Sequence, residues 1–198
     1  MRKLVILTAL AASSAIAAPA FAQDFSGPRA EVVAGLDSSR VHADGASGSK
    51  DGFLYGGAIG YDYQAGRAVF GIDGEVTGAT TRTTANDVLV AGDSVRTKAG
   101  RDFYIGGRVG AVVAPSTLLY AKAGYTNARV NTRYTAGTTT VEDGENLDGY
   151  RVGAGVEVKL NPKAYVKAEY RYSDYGHLDG NYGKIDRHQV LAGVGYRF

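Results

Sequence analysis

Cysteine and tryptophan are absent from the 198 residues, methionine occurs once and proline four times. Without cysteine the chain has no disulfide framework, no thiolate metal site and no thiol nucleophile. So few prolines leave nearly every backbone N–H free to join a ladder. Histidine is scarce as well, with His42, His177 and His188 the only imidazole bases. Beyond residue 22 no apolar run approaches the roughly 20 residues that a membrane-spanning helix needs.

The first 22 residues differ in kind from the rest. Arg2 and Lys3 are followed by an apolar stretch over 4–18, then by Ala20-Phe21-Ala22 with small residues at the cleavage positions. This pattern predicts a secretory signal peptide over 1–22, cut after Ala22, and a single domain over 23–198. Removing Arg2 and Lys3 leaves 20 basic against 20 acidic residues, so the mature chain is formally neutral. A nucleic-acid partner would call for a basic stripe, and none is expected.

What is abundant is glycine, at 28, and tyrosine, at 14. They sit in eight segments that alternate with period 2. Ala30, Val32, Ala34 and Leu36 oppose Arg29, Glu31, Val33, Gly35 and Asp37. Tyr55, Gly57, Ile59, Tyr61 and Tyr63 oppose Gly56, Ala58, Gly60 and Asp62. Further strands are predicted over 70–78, 102–111, 119–126, 150–158, 165–173 and 188–198. Helical periodicity fails in all eight, and this density of glycine and β-branched residues disfavours helix.

The predicted connections alternate in length. Short ones fall at 64–67, 114–116 and 160–163, and long ones at 38–51, 80–100, 131–146 and 174–186. Short turns on one side and long loops on the other are the arrangement of an antiparallel up-and-down transmembrane β-barrel in an outer membrane, with short turns periplasmic and four loops extracellular.

Chemistry divides the two faces. One is aliphatic in mid-strand, with Tyr61, Tyr63, Phe70, Tyr196 and Phe198 at the turn side and Phe103, Tyr125, Tyr150, Tyr170 and Tyr172 at the loop side. Rings at both levels predict aromatic girdles meeting outer-membrane lipid. The other face carries Glu31, Asp62, Asp73, Glu75, Asp102, Glu157 and Glu169 against Arg29, Arg108, Lys122, Arg151, Lys167, Arg171 and Arg197. An eight-stranded lumen is just wide enough for side chains to fill it. These charges are therefore expected inside, as a stack of ion pairs, with Glu75 and Arg108 close together or joined through the network.

The stretches 55–62 (YGGAIGYD), 119–125 (LYAKAGY) and 193–198 (GVGYRF) resemble the OmpA-type, opacity-like surface barrels of Gram-negative outer membranes. The resemblance covers essentially the whole mature chain. It implies a structural and interaction protein, contributing to envelope integrity and surface contacts such as adhesion or antigen display. It also implies that Val194, Tyr196 and Phe198 form a terminal signal for the barrel-assembly machinery. No counterpart of the peptidoglycan-binding domain of full-length OmpA proteins is expected.

Two other functions compete. A narrow small-solute porin would use the same fold with a water path through the lumen. A lipid-modifying enzyme would need a histidine and a serine together on the outward face. His188 is predicted outward and Ser173 inward, so the enzyme reading is disfavoured, and no cofactor or metal is expected. Glu142, Asp143 and Glu145 lack the spacing of a calcium loop. The loops, threonine-rich at 80–84, suit contact with an extracellular ligand without naming one.

Overall fold

The computed structural model describes residues 24–43, 46–80, 82–86, 93–136, 139–175 and 184–198. The alternating segments form β1 (Gly27–Ala43), β2 (Ala46–Ala65), β3 (Ala68–Ala79), β4 (Arg82–Asn86), β5 (Asp93–Ala114), β6 (Thr117–Ala136), β7 (Thr139–Lys159), β8 (Ala164–Tyr175) and β9 (Lys184–Arg197). Every pairing is antiparallel. The neighbour order is β3-β2-β1-β9-β8-β7-β6-β5, and β3 also pairs with β5, so eight strands close into a ring. The seam between β1 and β9 runs from Arg29 opposite Arg197 to His42 opposite Lys184. Closure matters because an unpaired backbone group in hydrocarbon costs several kcal/mol, and a ring has no edge.

Side chains distribute inside out. Val32, Ile59, Ile72 and Ile105 are 67–69% exposed, whereas Glu31, Asp73 and Glu75 are at most 6% exposed. A soluble barrel would show the reverse. All ten girdle aromatics lie on the outward-facing parity, from Phe198 at the turn end to Tyr172 at the loop end. Among the described residues no helix is long and apolar enough to cross a membrane; the strands do the crossing.

The turns are tight. Gly66 adopts φ +63°, a left-handed conformation that glycine enters without steric cost, between β2 and β3. Between β7 and β8, Asn161 Oδ1 accepts from the Lys163 and Ala164 amides at 2.9 and 2.7 Å. This is the side-chain mimicry that makes asparagine a turn residue.

Three of the four stretches predicted as long loops are largely strand instead among the described residues, and most of the fourth, 176–183, lies outside them. The β1–β2 ladder continues to Ala43 opposite Ala46, and the β6–β7 ladder to Ala136 opposite Thr139. Residues 80–100 contain β4 and the start of β5, which pair from Arg82 opposite Lys98 to Asn86 opposite Ser94. Above the lipid both faces of a strand meet water, so the apolar alternation that marks a membrane strand is not required. Backbone ladder bonds and β-branched threonine and valine hold the extension together. Ala20, Ala22 and His177, singled out from sequence, lie outside the described residues.

Before β1, residues 24–26 turn into the turn-side mouth. Phe25 is fully buried and packs with Val69, Val112 and Leu118. Its amide donates to Gln64 Oε1 at 2.7 Å, its carbonyl accepts from Arg197, and the Lys159 ammonium sits 4.5 Å from its ring centroid. The Ser26 hydroxyl and amide hold the exposed Asp24 carboxyl below the usual carboxylate range. The mouth is thus stoppered by an aromatic ring held between cations.

Candidate functional site

All fourteen inward charges of the sequence reading are buried in the lumen. Near the turn end, Asp62 receives Arg29 Nε at 3.1 Å, Arg108 Nε at 2.7 Å and Arg197 Nη1 at 2.7 Å. Glu157 binds the far sides of two of these, Arg197 at 2.8 Å and Arg108 at 3.2 Å. Arg29 continues to Asp73 and, at 3.4 Å, to Glu31. From Glu31 the chain of contacts passes to Lys167 at 2.5 Å and on to Glu169 at 3.4 Å.

Glu169 also meets Lys122 at 3.0 Å, and Lys122 meets Glu75 at 3.3 Å. Glu75 is bound by Arg171 and lies 3.5 Å from Arg151. Arg151 in turn holds Asp102 at 2.6 Å. Each lumen charge named from sequence therefore touches an opposite one, and the contacts form one connected network along the axis. Burying these charges without partners would cost several kcal/mol per ion.

Glu75 and Arg108 do not pair directly. Antiparallel register sets Arg108 opposite Gly71 and Glu75 opposite Tyr104. The strand offset carries Arg108 towards the turn end, where Asp62 takes it, while Glu75 turns to Lys122 and Arg171. The two are joined only through the intervening members.

Two further charges join the network, Asp37 on the inward parity of the first strand and Arg187 just before the predicted start of the last. Asp37 and Arg187 pair at 2.8 Å, and Arg187 reaches Asp102 at 3.0 Å, so the network ends at the loop side. Arg187 has the inward parity of Gln189 and Arg197, but it lies just before the predicted start of the last strand. Inward tyrosines join the network: Tyr120 and Tyr165 share the parity of Lys122 and Lys167, whereas Tyr175 falls in the stretch 174–186 expected as a loop. Tyr120 donates to Glu169 at 2.7 Å, Tyr165 to Glu31 at 2.8 Å and Tyr175 to Asp102 at 2.8 Å. Their rings need glycine beside them. A Cβ at Gly155 would lie 2.6 Å from Tyr120 Oη, and one at Gly195 would overlap the Tyr165 ring.

On the outer wall, Val194, Tyr196 and Phe198 are 56%, 42% and 71% exposed. Phe198 stacks edge-on against Tyr196 at 5.0 Å, and its amide donates to the Pro28 carbonyl at 3.0 Å. His188 Nδ1 is 2.7 Å from Tyr170 Oη, whereas Ser173 is buried and accepts from Arg151 at 2.8 Å. His188 and Ser173 thus stand on opposite faces of the wall. No cluster able to hold a metal ion occurs among the described residues.

A family model described as outer membrane protein beta-barrel domain matches residues 8–198. The chain belongs to this outer-membrane β-barrel family. Within it, the chain is similar to a 22 kDa outer membrane protein of Rhizobium leguminosarum bv. viciae, at 31% identity over 73% of this chain and 66% of that one. It is also similar to a 25 kDa outer-membrane immunogenic protein of Brucella ovis, at 24% identity over 75% and 65%. The chain thus spans about two-thirds of the length of the curated relatives it matches. Among solved structures, Neisserial surface protein A shares the fold with a TM-score of 0.54 and 17% identity, covering 85% of this chain and 97% of that one. The family assignment places the barrel in the outer membrane.

Proposed function

We propose that this outer-membrane barrel is a plugged anchor that displays four extracellular connections, contributes to envelope integrity and makes surface contacts. One observation carries the reading: the connected ion-pair network from Arg197 and Glu157 at one end of the lumen to Asp37 and Arg187 at the other. Charges locked to one another in this way are poor ion ligands, because a permeating ion would have to break pairs worth several kcal/mol when buried. The Phe25 stopper adds a second closure. A Brucella relative is called immunogenic, which accords with surface display.

Planar-bilayer recording on the purified protein tests the plug against the competing porin. Silence or rare flicker is expected, and stable ohmic steps would replace this reading with the narrow porin. The lipid-modifying reading predicts altered lipid A in an expressing strain. Mass spectrometry of that lipid should show none, consistent with His188 and Ser173 facing opposite ways.

The orientation follows from the family's short periplasmic turns, which would put Pro115 in the periplasm and the stretch between β4 and β5 outside the cell. An epitope inserted at Asp87 should be labelled on intact cells. Labelling that requires permeabilisation would invert the barrel. The export route belongs to the same proposal, with cleavage after Ala22 and delivery to the barrel-assembly machinery through the Val194–Tyr196–Phe198 terminus.

A further inference from the structure

The short segment ahead of β1, residues 24–26, reaches across the turn-side mouth to six other strands. The Phe25 amide donates to Gln64 Oε1 of β2 at 2.7 Å, and the Gln64 amide donates in return to Ser26 Oγ at 3.1 Å. The Phe25 ring packs among Val69 of β3, Val112 of β5 and Leu118 of β6. The Asp24 carbonyl accepts from Lys159 at the end of β7, and the Phe25 carbonyl accepts from Arg197 at the end of β9. The segment is therefore tied to both sides of the ring, although no residue of it belongs to the wall.

Its own sequence shapes it. Asp24 Oδ1 accepts from the Ser26 amide at 2.8 Å, an Asx turn that forms without help from any strand. Gly27 follows with φ +111°, a backbone conformation that residues with a side chain rarely adopt. A Cβ at Gly27 would also lie 3.0 Å from the Phe198 carbonyl oxygen. The chain bends at this glycine, from the mouth into the wall.

The order of assembly follows from where the partners lie. Lys159 and Arg197 are 135 and 172 residues along the chain from the carbonyls they hold. The cradle for the ring needs β3, β5 and β6 side by side, and Arg197 is placed by β9, whose pairing with β1 closes the barrel. The receiving site is thus complete only once the ring is closed, and contacts this remote in sequence form late. The segment is also continuous with β1, one side of the closing seam. For β1 to part from β9 at the turn end, the segment must first leave Arg197 and the cradle.

We propose that residues 24–26 are a strap, hinged at Gly27, that seats in the turn-side mouth after the wall has closed and holds the finished ring shut. The strap sets the rate at which the barrel reopens, not the rate at which it forms. This goes beyond the plugged-anchor reading and does not depend on whether the lumen conducts.

The test measures both rates on the purified protein, refolded from urea into lipid vesicles and unfolded from them, with gel mobility reporting the closed barrel. Contacts absent from the transition state appear in the unfolding rate alone. Replacing Phe25 with alanine should speed unfolding on the order of 10- to 100-fold, the loss of a buried ring expressed as a rate, and leave the folding rate unchanged. G27A keeps every side chain of the strap and strains only the hinge, and it too should unfold faster with an unchanged folding rate. Because both changes unseat one strap, F25A/G27A should unfold no faster than F25A. Slower folding of either variant, or failure to fold, would put the segment in the folding nucleus and overturn the proposal. An unchanged unfolding rate in either variant would overturn it as well. A double variant whose acceleration is the product of the two single effects would show that ring and glycine act independently, and the strap would be lost as a unit.

Discussion

Replacing Asp62 with alanine should destabilise the barrel by about 3–5 kcal/mol, the range for breaking a buried ion pair by removing one partner. Asp62 is fully buried and receives three guanidiniums, from Arg29, Arg108 and Arg197, which belong to β1, β5 and β9. Its loss leaves Arg108 and Arg197 sharing Glu157 alone. Urea unfolding in lipid vesicles, followed by tyrosine fluorescence and gel mobility, measures the change. A loss below about 1 kcal/mol, the level of an exposed pair, would mean that water reaches this part of the lumen and screens it.

The same site permits a sharper comparison. A double-mutant cycle on Asp62 and Arg108 should return a coupling of about 1–3 kcal/mol, as contacting network members do. The cycle on Glu75 and Arg108 should return a smaller coupling than this, because the two touch no common partner and are joined only through the intervening members. Read from sequence alone, the second pair is as plausible as the first, since Glu75 and Arg108 have opposite signs, face inward and sit on neighbouring strands. Only register separates them. Gly71, not Glu75, stands opposite Arg108.

That example marks where the sequence stops being legible. Parity along a strand is a period-2 property, so the inward set, the outward set and the girdles can be read residue by residue. Strand offset is not carried by parity, because a shift of two residues preserves every face while exchanging every partner. Pairing in the lumen therefore needs the coordinates. The extended ladders were missed for a related reason. In β4, the run Arg82-Thr83-Thr84 has no apolar face to bury, so no hydrophobic alternation betrays a strand there. Arg187 fell just short of the predicted start of the last strand, although its parity with Gln189 would have placed it inside. Phe25 had no periodic context at all, and its role comes from the cations and the apolar cluster at the mouth.

Deleting Phe198 should reduce the amount of barrel in the outer membrane sharply while leaving the purified variant able to refold in detergent. In the structure this ring is 71% exposed on the lipid side, stacked on Tyr196 and placed beside the seam by the hydrogen bond that its amide donates to the Pro28 carbonyl. It fills no part of the lumen network, which ends with Arg197. A girdle ring that contributed only apolar area would give up roughly 1.5–3 kcal/mol, and a closed ladder with a connected ion-pair core should survive that loss. The proposed role as an assembly signal makes a different demand, because recognition acts on the unfolded chain before any ladder exists. Outer-membrane yield and in vitro refolding therefore separate the two accounts. Normal surface yield would remove the signal role from Phe198. Failure of both assays would assign the residue to stability, through the seam that its amide helps to close.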